Sequence, residues 1–332
     1  MSDRPATRAA GANVTLESSV RGHLSVLPWA KIALVRRLLI IGCGDVALRM
    51  VPLVRARYVL YALTRERERF GGLRALGVKP VWGDLDRPDT LAALPGLAHD
   101  IVHFAPPPRS GLIDTRTTHL IAALAKRKSL PQQLVYISTS GVYGDCHGAV
   151  VNETRPLNPQ TQRARRRVDA ERQLRKWGVR TGVRIAILRA PGIYAADRLP
   201  LQRLEHGTPA INADEDSYVN HVHADDLARI AVAALRHAHP NRSYNAVDDA
   251  PQRMGDYFDL VADGFGLPRP PRIAREEARR VIPGALYSFM NESRRLSNTR
   301  IKRELRVALR YPSVREGIAA ARADLGAGVR HG

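Results

Sequence analysis

The chain has 332 residues, of which 44% are hydrophobic, and it carries a formal net charge of +20. This composition excludes a disordered or collagen-like chain, and the length allows a large core that is divided into lobes. The sequence has no run of about 18 apolar residues, so it predicts no membrane-spanning helix. Two cysteines are too few for a disulfide framework, and we therefore expect a cytoplasmic protein.

The positive charge comes almost entirely from arginine, because only six of the 52 basic residues are lysine. One interpretation is a surface that binds nucleic acid or another anion. The other is a coding bias that places arginine wherever a cation is tolerated. We favour the second, because the charges are spread along the chain and few aromatic residues lie among them. We therefore expect a small-molecule partner, and neither a nucleic acid nor a membrane.

The first 34 residues show no periodicity, and we predict that they form a flexible extension outside the fold. The first strong signal is the wholly apolar run 38–41, which glycines and then a helical pattern follow. A short strand without polar residues is typical of a parallel sheet that is buried on both faces.

Strand and helix patterns then alternate along the chain. Strands are predicted at 58–63, 78–82, 100–105, 133–138 and 184–189, and helices at 64–76, 88–94, 112–128, 160–178 and 227–237. Asp225 is the predicted N-cap of the last helix. This alternation indicates an α/β fold with a doubly wound parallel sheet. We place the main domain at 35–195. We expect 196–320 to complete the sheet and form a small C-terminal substrate lobe, with a frayed tail at 321–332.

A glycine-rich turn follows the first strand and reads G-x-G-x-x-A, formed by Gly42, Cys43, Gly44, Asp45, Val46 and Ala47. The first glycine permits a tight turn, the second lets the backbone approach a pyrophosphate, and the small alanine lets the helix pack closely. The pyrophosphate then lies at the helix N-terminus, where free N–H groups favour anions. The pattern predicts a dinucleotide-binding (Rossmann) domain.

The end of the second strand bears on the choice of dinucleotide. Folds that prefer NAD usually place an acid about 20 residues after the glycines, where it binds the ribose hydroxyls. Here that place holds Thr64 and Arg65. Because arginine pairs with a 2′-phosphate, we predict NADP. NAD remains an alternative, since the neighbouring Glu66 becomes the ribose ligand if the strand ends one residue later.

Two later turns contribute further candidates for cofactor binding. Asp84 and Leu85 follow the third strand, where the carboxylate can accept a bond from an adenine amino group; a turn aspartate is the alternative reading. Ala105 and Pro106 follow the fourth strand and begin a stiff loop that contains three prolines. We expect this loop to line the pocket.

Five segments together resemble the short-chain dehydrogenase/reductase superfamily and, within it, the NAD-dependent epimerase/dehydratase family: 42–47, 83–85, 136–144, 188–194 and 220–228. The resemblance extends from about Arg37 to Ile318. It implies an NAD(P)-dependent oxidoreductase or epimerase. It also implies that Thr139 is the hydroxyl that hydrogen-bonds the substrate carbonyl, next to Ser138, and that Pro191 and Ile193 lie beside the nicotinamide. A hydroxyl that only caps a strand end is the alternative for Thr139.

The sequence departs from the family at the catalytic pair. The family uses Tyr-x-x-x-Lys on one helix, and the aligned positions here hold Arg163 and Arg167. Arginine stays protonated and cannot act as an acid or base near neutral pH. Arg167 can still bind the ribose, and Arg163 can polarise a carbonyl or bind an anionic substrate. The alternative is that both are surface charges of a basic helix.

We therefore expect an NADP-preferring oxidoreductase or epimerase-like enzyme with a degenerate catalytic motif. Its small-molecule substrate is anionic if the two arginines face the pocket. The alternative is a non-catalytic NADP-binding protein that senses redox state or binds a partner. The resemblance also makes a homodimer a candidate assembly. His221 and His223 are weaker candidates for a catalytic acid, and they lack the third ligand that a metal site requires.

Overall fold

The computed structural model describes residues 35–126 and 129–328. The strands are β1 (Arg36–Ile41), β2 (Tyr58–Thr64), β3 (Val78–Trp82), β4 (Asp100–His103), β5 (Gln133–Thr139), β6 (Val150–Val151), β7 (Arg184–Ala190), β8 (Gly192–Tyr194), β9 (Ala210–Ile211), β10 (Tyr218–Val219), β11 (His221–His223), β12 (Arg242–Asn245), β13 (Gln252–Arg253), β14 (Arg272–Ile273) and β15 (Arg295–Leu296). The helices are α1 (Asp45–Val54), α2 (Phe70–Ala75), α3 (Thr115–Leu124), α4 (Gln162–Thr181), α5 (Leu201–Glu205), α6 (Ala224–His237), α7 (Met254–Phe265), α8 (Arg275–Val281), α9 (Gly284–Met290), α10 (Thr299–Glu304) and α11 (Val314–Gly328).

Within the described residues the main sheet has seven strands in the order β12-β7-β5-β4-β1-β2-β3, and every neighbouring pair is parallel. The order reverses between β1 and β4. In an open parallel sheet such a switch point opens a crevice at the carboxyl ends of the strands. The predicted α/β fold with a doubly wound parallel sheet is confirmed.

Alternation along β1 explains why its sequence is wholly apolar. Leu38 and Ile40 face one layer of helices, formed by α1 and α6, whereas Leu39 and Ile41 face the other layer, formed by α3 and α4. All four side chains are fully buried. Each face of the strand therefore contributes to a separate hydrophobic core, which stabilises both layers of helices on the sheet.

The chain beyond β7 contributes both to the main sheet and to a separate C-terminal lobe. Strand β12 returns to the main sheet beside β7. Helices α5, α7, α8, α9 and α11 pack with short strand pairs around a third core, whose buried residues include Phe258, Val261 and Met290. This arrangement forms the C-terminal lobe. The domain boundaries at residues 195 and 320 remain predictions, and the predicted extension 1–34 lies outside the described residues.

Several predicted elements differ from the structure. The helix predicted at 64–76 is a single 3-10 turn (Arg67–Arg69) followed by the short α2, because Thr64 still belongs to β2 and α2 contains two glycines. The helix at 88–94 is only one 3-10 turn, Pro88–Leu91. The predicted frayed tail is wrong as far as residue 328, since α11 continues to that point.

The predicted N-cap of α6 is also wrong. The helix begins at Ala224, and its N-cap is His223, whose Nδ1 accepts a hydrogen bond of 3.2 Å from the Asp225 N–H. Asp225 lies in the first turn, where its carboxylate accepts a bond of 2.7 Å from Arg49 of α1. The aspartate thus ties two helices together, which local sequence preference cannot reveal.

A buried carboxyl group lies just after β12. Asp248 is 2% exposed, and its Oδ2 atom has no hydrogen-bond partner in the part of the chain that the structure describes. Its Oδ1 accepts only a bond of 3.3 Å from the Ala250 N–H. Burial raises the pKa of Asp248 to about 8 because the interior disfavours the charged form.

The raised pKa of Asp248 predicts that the stability of the fold depends on pH. A raised folded-state pKa adds stability that is fully present below the ordinary carboxyl pKa and is lost as the pH rises towards 8. We therefore compare the melting temperatures of Asp248→Asn and the unmodified protein. From about pH 5 to about pH 8, we expect this difference to change by several degrees in favour of the variant. Thermal denaturation at both pH values checks this, with the exposed Asp214→Asn as control. Parallel pH profiles for the unmodified protein and Asp248→Asn would contradict it.

Candidate functional site

A cavity of about 510 Å³ opens at the carboxyl ends of the central strands, where the strand order reverses. Its volume is in the range of about 300–1,000 Å³ that is typical of ligand pockets. Nearly all of the residues that were predicted to bind a cofactor are among those that line it: Gly42, Cys43, Gly44, Val46, Ala47, Thr64, Arg65, Asp84, Leu85, Ala105, Pro106, Ser138, Thr139, Arg167, Pro191 and Ile193. Among the predicted site residues, Asp45 and Arg163 do not line the cavity.

The glycine turn has the backbone geometry that an anion requires. Gly42 has a φ of +80°, and a Cβ there would lie 2.5 Å from the backbone nitrogen of Ala105, so only glycine fits. A Cβ on Gly44 would meet nothing within 4 Å, and this residue lines the cavity. Gly44 is the N-cap of α1, and no side chain of a described residue caps it. The first N–H groups of α1 are therefore free to bind a pyrophosphate.

Asp45 contributes to this turn differently from the prediction. Its carboxylate accepts a bond of 2.9 Å from Arg49 and lies 3.2 Å from the guanidinium of Arg198. The side chain therefore fixes the start of α1 to neighbouring elements. Only the backbone of Asp45 remains available to an anion at the helix terminus.

Two arginines lie at the end of the cavity next to β2. Arg65 lines it as predicted, and Arg69 lines it as well, which the sequence analysis missed. The Arg69 guanidinium donates a bond of 2.5 Å to the carbonyl oxygen of Cys43 in the glycine turn. Its Nε is 3.9 Å from the carboxylate of Glu66. The spacing of four from Arg65 was a signal, because the helix predicted at 64–76 would place both side chains on one face.

The Cys43 thiol in this turn is buried, and burial raises its pKa although the nearby Arg69 charge opposes the shift. A buried thiol with a raised pKa is chemically inert. Cys43 therefore fills space beneath the turn.

A third arginine, Arg116 of α3, closes the cavity on the side of β3 and β4. Its guanidinium binds Asp86 with two bonds, of 2.8 and 2.6 Å, and donates a third of 3.0 Å to the carbonyl of Pro106. Asp84 lines the cavity and also accepts the Asp86 N–H at 2.9 Å. Both readings of Asp84, as a turn residue and as a pocket residue, agree with this geometry.

The opposite end of the cavity holds the predicted catalytic hydroxyl. Thr139 ends β5, and its Oγ1 accepts a bond of 3.3 Å from the Gly141 N–H. Arg167 of α4 lies beside it and donates from Nη1 to the Tyr136 hydroxyl at 2.9 Å and to the carbonyl of Ile137 at 2.7 Å. Arg167 is therefore held rigidly at the wall of the cavity and is not a free surface charge.

A network of buried polar side chains lies next to Thr139, behind the wall of the cavity. The Ser138 hydroxyl donates to Glu171 at 2.6 Å, and Glu171 binds Arg189 through bonds of 3.1 and 2.7 Å. Arg189 also donates to the Tyr143 hydroxyl at 2.9 Å, which in turn donates to Asn245 at 2.8 Å. The network joins the ends of β5, β7 and β12, and so fixes the position of Thr139.

Arg163 lies outside the cavity lining. It donates a bond of 3.0 Å to the Ser288 hydroxyl, and its guanidinium carbon is 3.8 Å from the centre of the Phe289 ring. The side chain is half-buried between α4 and α9. The alternative reading, an exposed charge of a basic helix, does not describe it.

The two histidines lie at the junction with the C-terminal lobe and do not line the cavity. Burial lowers the pKa of His221 to about 4 and also lowers that of His223. Both are therefore neutral at pH 7, and His223 caps α6. In the ranges 35–126 and 129–328, no group of three His, Cys, Asp or Glu side chains has the geometry of a metal site.

Comparison with known proteins assigns the chain to a family. The profile of the NAD dependent epimerase/dehydratase family matches residues 53–246, more than half of the chain. The chain belongs to the NAD-dependent epimerase/dehydratase family. The match begins after the glycine turn.

The individual relatives and solved structures that resemble the chain are distant from it in sequence. GDP-6-deoxy-D-mannose reductase of Pseudomonas aeruginosa is 24% identical over 267 residues, which cover 74% of this chain and 87% of the reductase. A conserved protein of unknown function from Silicibacter pomeroyi is 28% identical with a TM-score of 0.73, covering 87% and 99% of the two chains. UDP-glucuronic acid 4-epimerase from Bacillus cereus, solved with NAD, is 16% identical with a TM-score of 0.67, covering 85% and 96%.

These findings support a nucleotide-binding role of the oxidoreductase or epimerase type. The family match and the reductase relative indicate the class of chemistry. The solved structures below 25% identity show the fold alone. No helix in the described part of the chain is long and apolar enough to cross a membrane.

Proposed function

We propose that the protein is an NADP-preferring oxidoreductase that reduces or oxidises a small, anionic carbonyl or alcohol substrate. The observation that carries this proposal is one continuous cavity with two different ends. An open glycine turn and two arginines, Arg65 and Arg69, lie at one end. Thr139, Pro191 and Ile193 lie at the other. This layout fits an extended dinucleotide whose phosphates lie at the basic end.

The preference for NADP rests on charge. A 2′-phosphate next to Arg65 and Arg69 gains charge-assisted hydrogen bonds that a ribose hydroxyl cannot form. Among the described residues two acids, Glu66 and Asp84, line the cavity, and Glu66 lies 3.9 Å from Arg69, so its charge is partly compensated. The 2′-phosphate therefore meets a net positive surface.

The catalytic chemistry differs from that of a Tyr-Lys enzyme. When bound in this cavity, a nicotinamide cofactor would supply the hydride for reduction or accept it in oxidation. The Thr139 Oγ1 accepts the Gly141 N–H, which leaves its own proton for donation to a substrate carbonyl oxygen. Arg167 stays protonated, so it stabilises negative charge nearby and transfers no proton. The proton for the product must then come from solvent, and we expect slow turnover.

Steady-state kinetics test this proposal. Oxidation of NADPH is followed with a panel of carbonyl compounds, with and without a carboxylate or phosphate group. We expect Thr139→Val to lower kcat about 100-fold, the usual cost of removing one donor to a developing oxyanion. Thr208→Val, outside the cavity, is the matched control. Equal rates in the two variants would contradict the role of Thr139.

A second candidate is an NADP-binding protein without turnover. It is favoured by the engagement of both arginines at the family's catalytic positions: Arg167 binds Tyr136 and Ile137, and Arg163 packs on Phe289. Tight NADPH binding without NADPH oxidation for any member of the panel would select this candidate.

A further inference from the structure

Helix α9 lies beside the catalytic end of the cavity, although none of its residues lines it. Arg163 and Arg167 are one turn apart on α4 and therefore share a face of the helix. Arg167 lines the cavity. Ala164, next to Arg163, packs close to Gly141, because a Cβ on Gly141 would lie 3.8 Å from that of Ala164 and 3.7 Å from Thr139 Oγ1. The contacts of Arg163 with α9 are therefore made at the Thr139 end.

Arg163 has no counter-ion among the residues that the structure describes. No carboxylate of a described residue lies within ion-pair distance of it, and its guanidinium donates a bond of 3.0 Å to the neutral Ser288 hydroxyl. The nearest acidic influence is Glu292, whose carboxylate binds Arg294 at 2.8 Å. Burial lowers the pKa of Arg163, which reflects the cost of desolvating a cation without a paired acid. An anion bound here would offset that cost.

An exposed aromatic ring adjoins this cation. Phe289 is 56% exposed, and its ring stacks with the Arg163 guanidinium at 3.8 Å. A large apolar side chain that stays exposed beside a ligand cavity offers contact area for a planar, apolar group. Arg163 and Phe289 thus present positive charge and an apolar ring at the same place.

We propose that Arg163, Ser288 and Phe289 form the substrate-recognition surface, and that the substrate is a 2-oxo acid whose ketone is joined to a planar apolar group. Arg163 binds the carboxylate, and Phe289 contacts the apolar group while the ketone oxygen faces Thr139. This inference rests on the proposed function, because the ketone is the group reduced. It goes further by assigning a recognition surface between α4 and α9 that no cofactor residue shares.

Two probes that differ only in charge test the proposal. Benzoylformate and benzoylformamide have the same ring and ketone, and only the first carries a carboxylate. Their dissociation constants are measured by calorimetry with the full chain saturated with NADP⁺. We expect benzoylformate to bind at least about ten-fold more tightly than the amide, the effect of a charge-assisted hydrogen bond. Pyruvate, which lacks the ring, is expected to bind more weakly than benzoylformate.

Single substitutions then test whether Arg163 and Phe289 form the recognition surface. Arg163→Gln is expected to abolish the preference for the acid over the amide, and Arg163→Lys to retain part of it. Phe289→Leu is expected to reduce the preference for benzoylformate over pyruvate. Arg165→Gln, an exposed position on the same helix, is the control and leaves all affinities unchanged.

The outcomes separate this inference from the proposed function. If NADP⁺ binds but acid and amide bind equally, or neither binds, the recognition surface is wrong and the cofactor assignment stands. If Arg163→Gln retains the preference of the unmodified protein, the carboxylate is bound elsewhere and the assignment of Arg163 is wrong. If NADP⁺ itself does not bind, the proposed function fails, and this inference fails with it.

Discussion

Replacing Glu171 with glutamine should destabilise the fold by about 3–5 kcal/mol, the usual cost of removing one partner of a buried ion pair. Glu171 and Arg189 are 2% and 4% exposed in their side chains and are joined by two bonds. The variant leaves the Arg189 charge buried without its acid. It also changes the acceptor of the Ser138 hydroxyl. Both effects act directly beneath the catalytic end of the cavity.

Chemical denaturation followed by circular dichroism measures this effect. Asp263→Asn is the matched control, because it breaks an exposed pair with Arg269 and should leave the unfolding free energy nearly unchanged. The double variant Glu171→Leu/Arg189→Met should recover much of the lost stability, since it leaves no buried charge unpaired. A Glu171→Gln variant as stable as Asp263→Asn would contradict the assignment of this pair as a support of the site.

Replacing Arg65 or Arg69 with serine should weaken NADPH binding about 10–100-fold and leave NADH binding nearly unchanged. A charge-assisted contact to phosphate contributes about 1.5–3 kcal/mol, which corresponds to that range. The two nucleotides differ only in the 2′-phosphate. A loss confined to NADPH therefore locates that phosphate beside these side chains. Calorimetric titration of each variant with both nucleotides provides the measurement.

Arg67→Ser is the matched control for these two variants. Arg67 lies between them in the sequence, but its guanidinium stacks over Trp82 at 5.0 Å and does not line the cavity. We expect its affinity for both nucleotides to equal that of the unmodified protein. If all three variants weaken NADPH binding equally, the effect is one of general charge, and a specific 2′-phosphate site is not supported.

The parts of the fold that were predictable are those whose signal is local. The run 38–41 is apolar because both faces of β1 are covered, and that pattern identified the buried parallel strand at once. The glycine turn was recognisable because Gly42 needs a positive φ and close contact with Ala105. In both cases the constraint acts on consecutive residues, so the sequence carries it directly.

The missed features depend on contacts between residues far apart in the sequence. Arg116 closes the cavity because Asp86 and Pro106 come to its side in the folded sheet, and nothing in α3 alone indicates this. Arg163 packs on Phe289, which is 126 residues later in the chain. The N-cap of α6 is His223, and the Asp225 carboxylate instead binds Arg49 of α1. Charge partners of this kind are fixed only by tertiary structure.

The central claim is that the cavity binds a phosphorylated dinucleotide, and a calorimetric titration of the unmodified protein with NADPH, NADP⁺, NADH and NAD⁺ tests it most directly. We predict saturable one-to-one binding, with the two phosphorylated forms at least about ten-fold tighter than the other two. Equal affinity for all four would contradict the assignment of Arg65 and Arg69. The absence of binding for all four would contradict the claim itself.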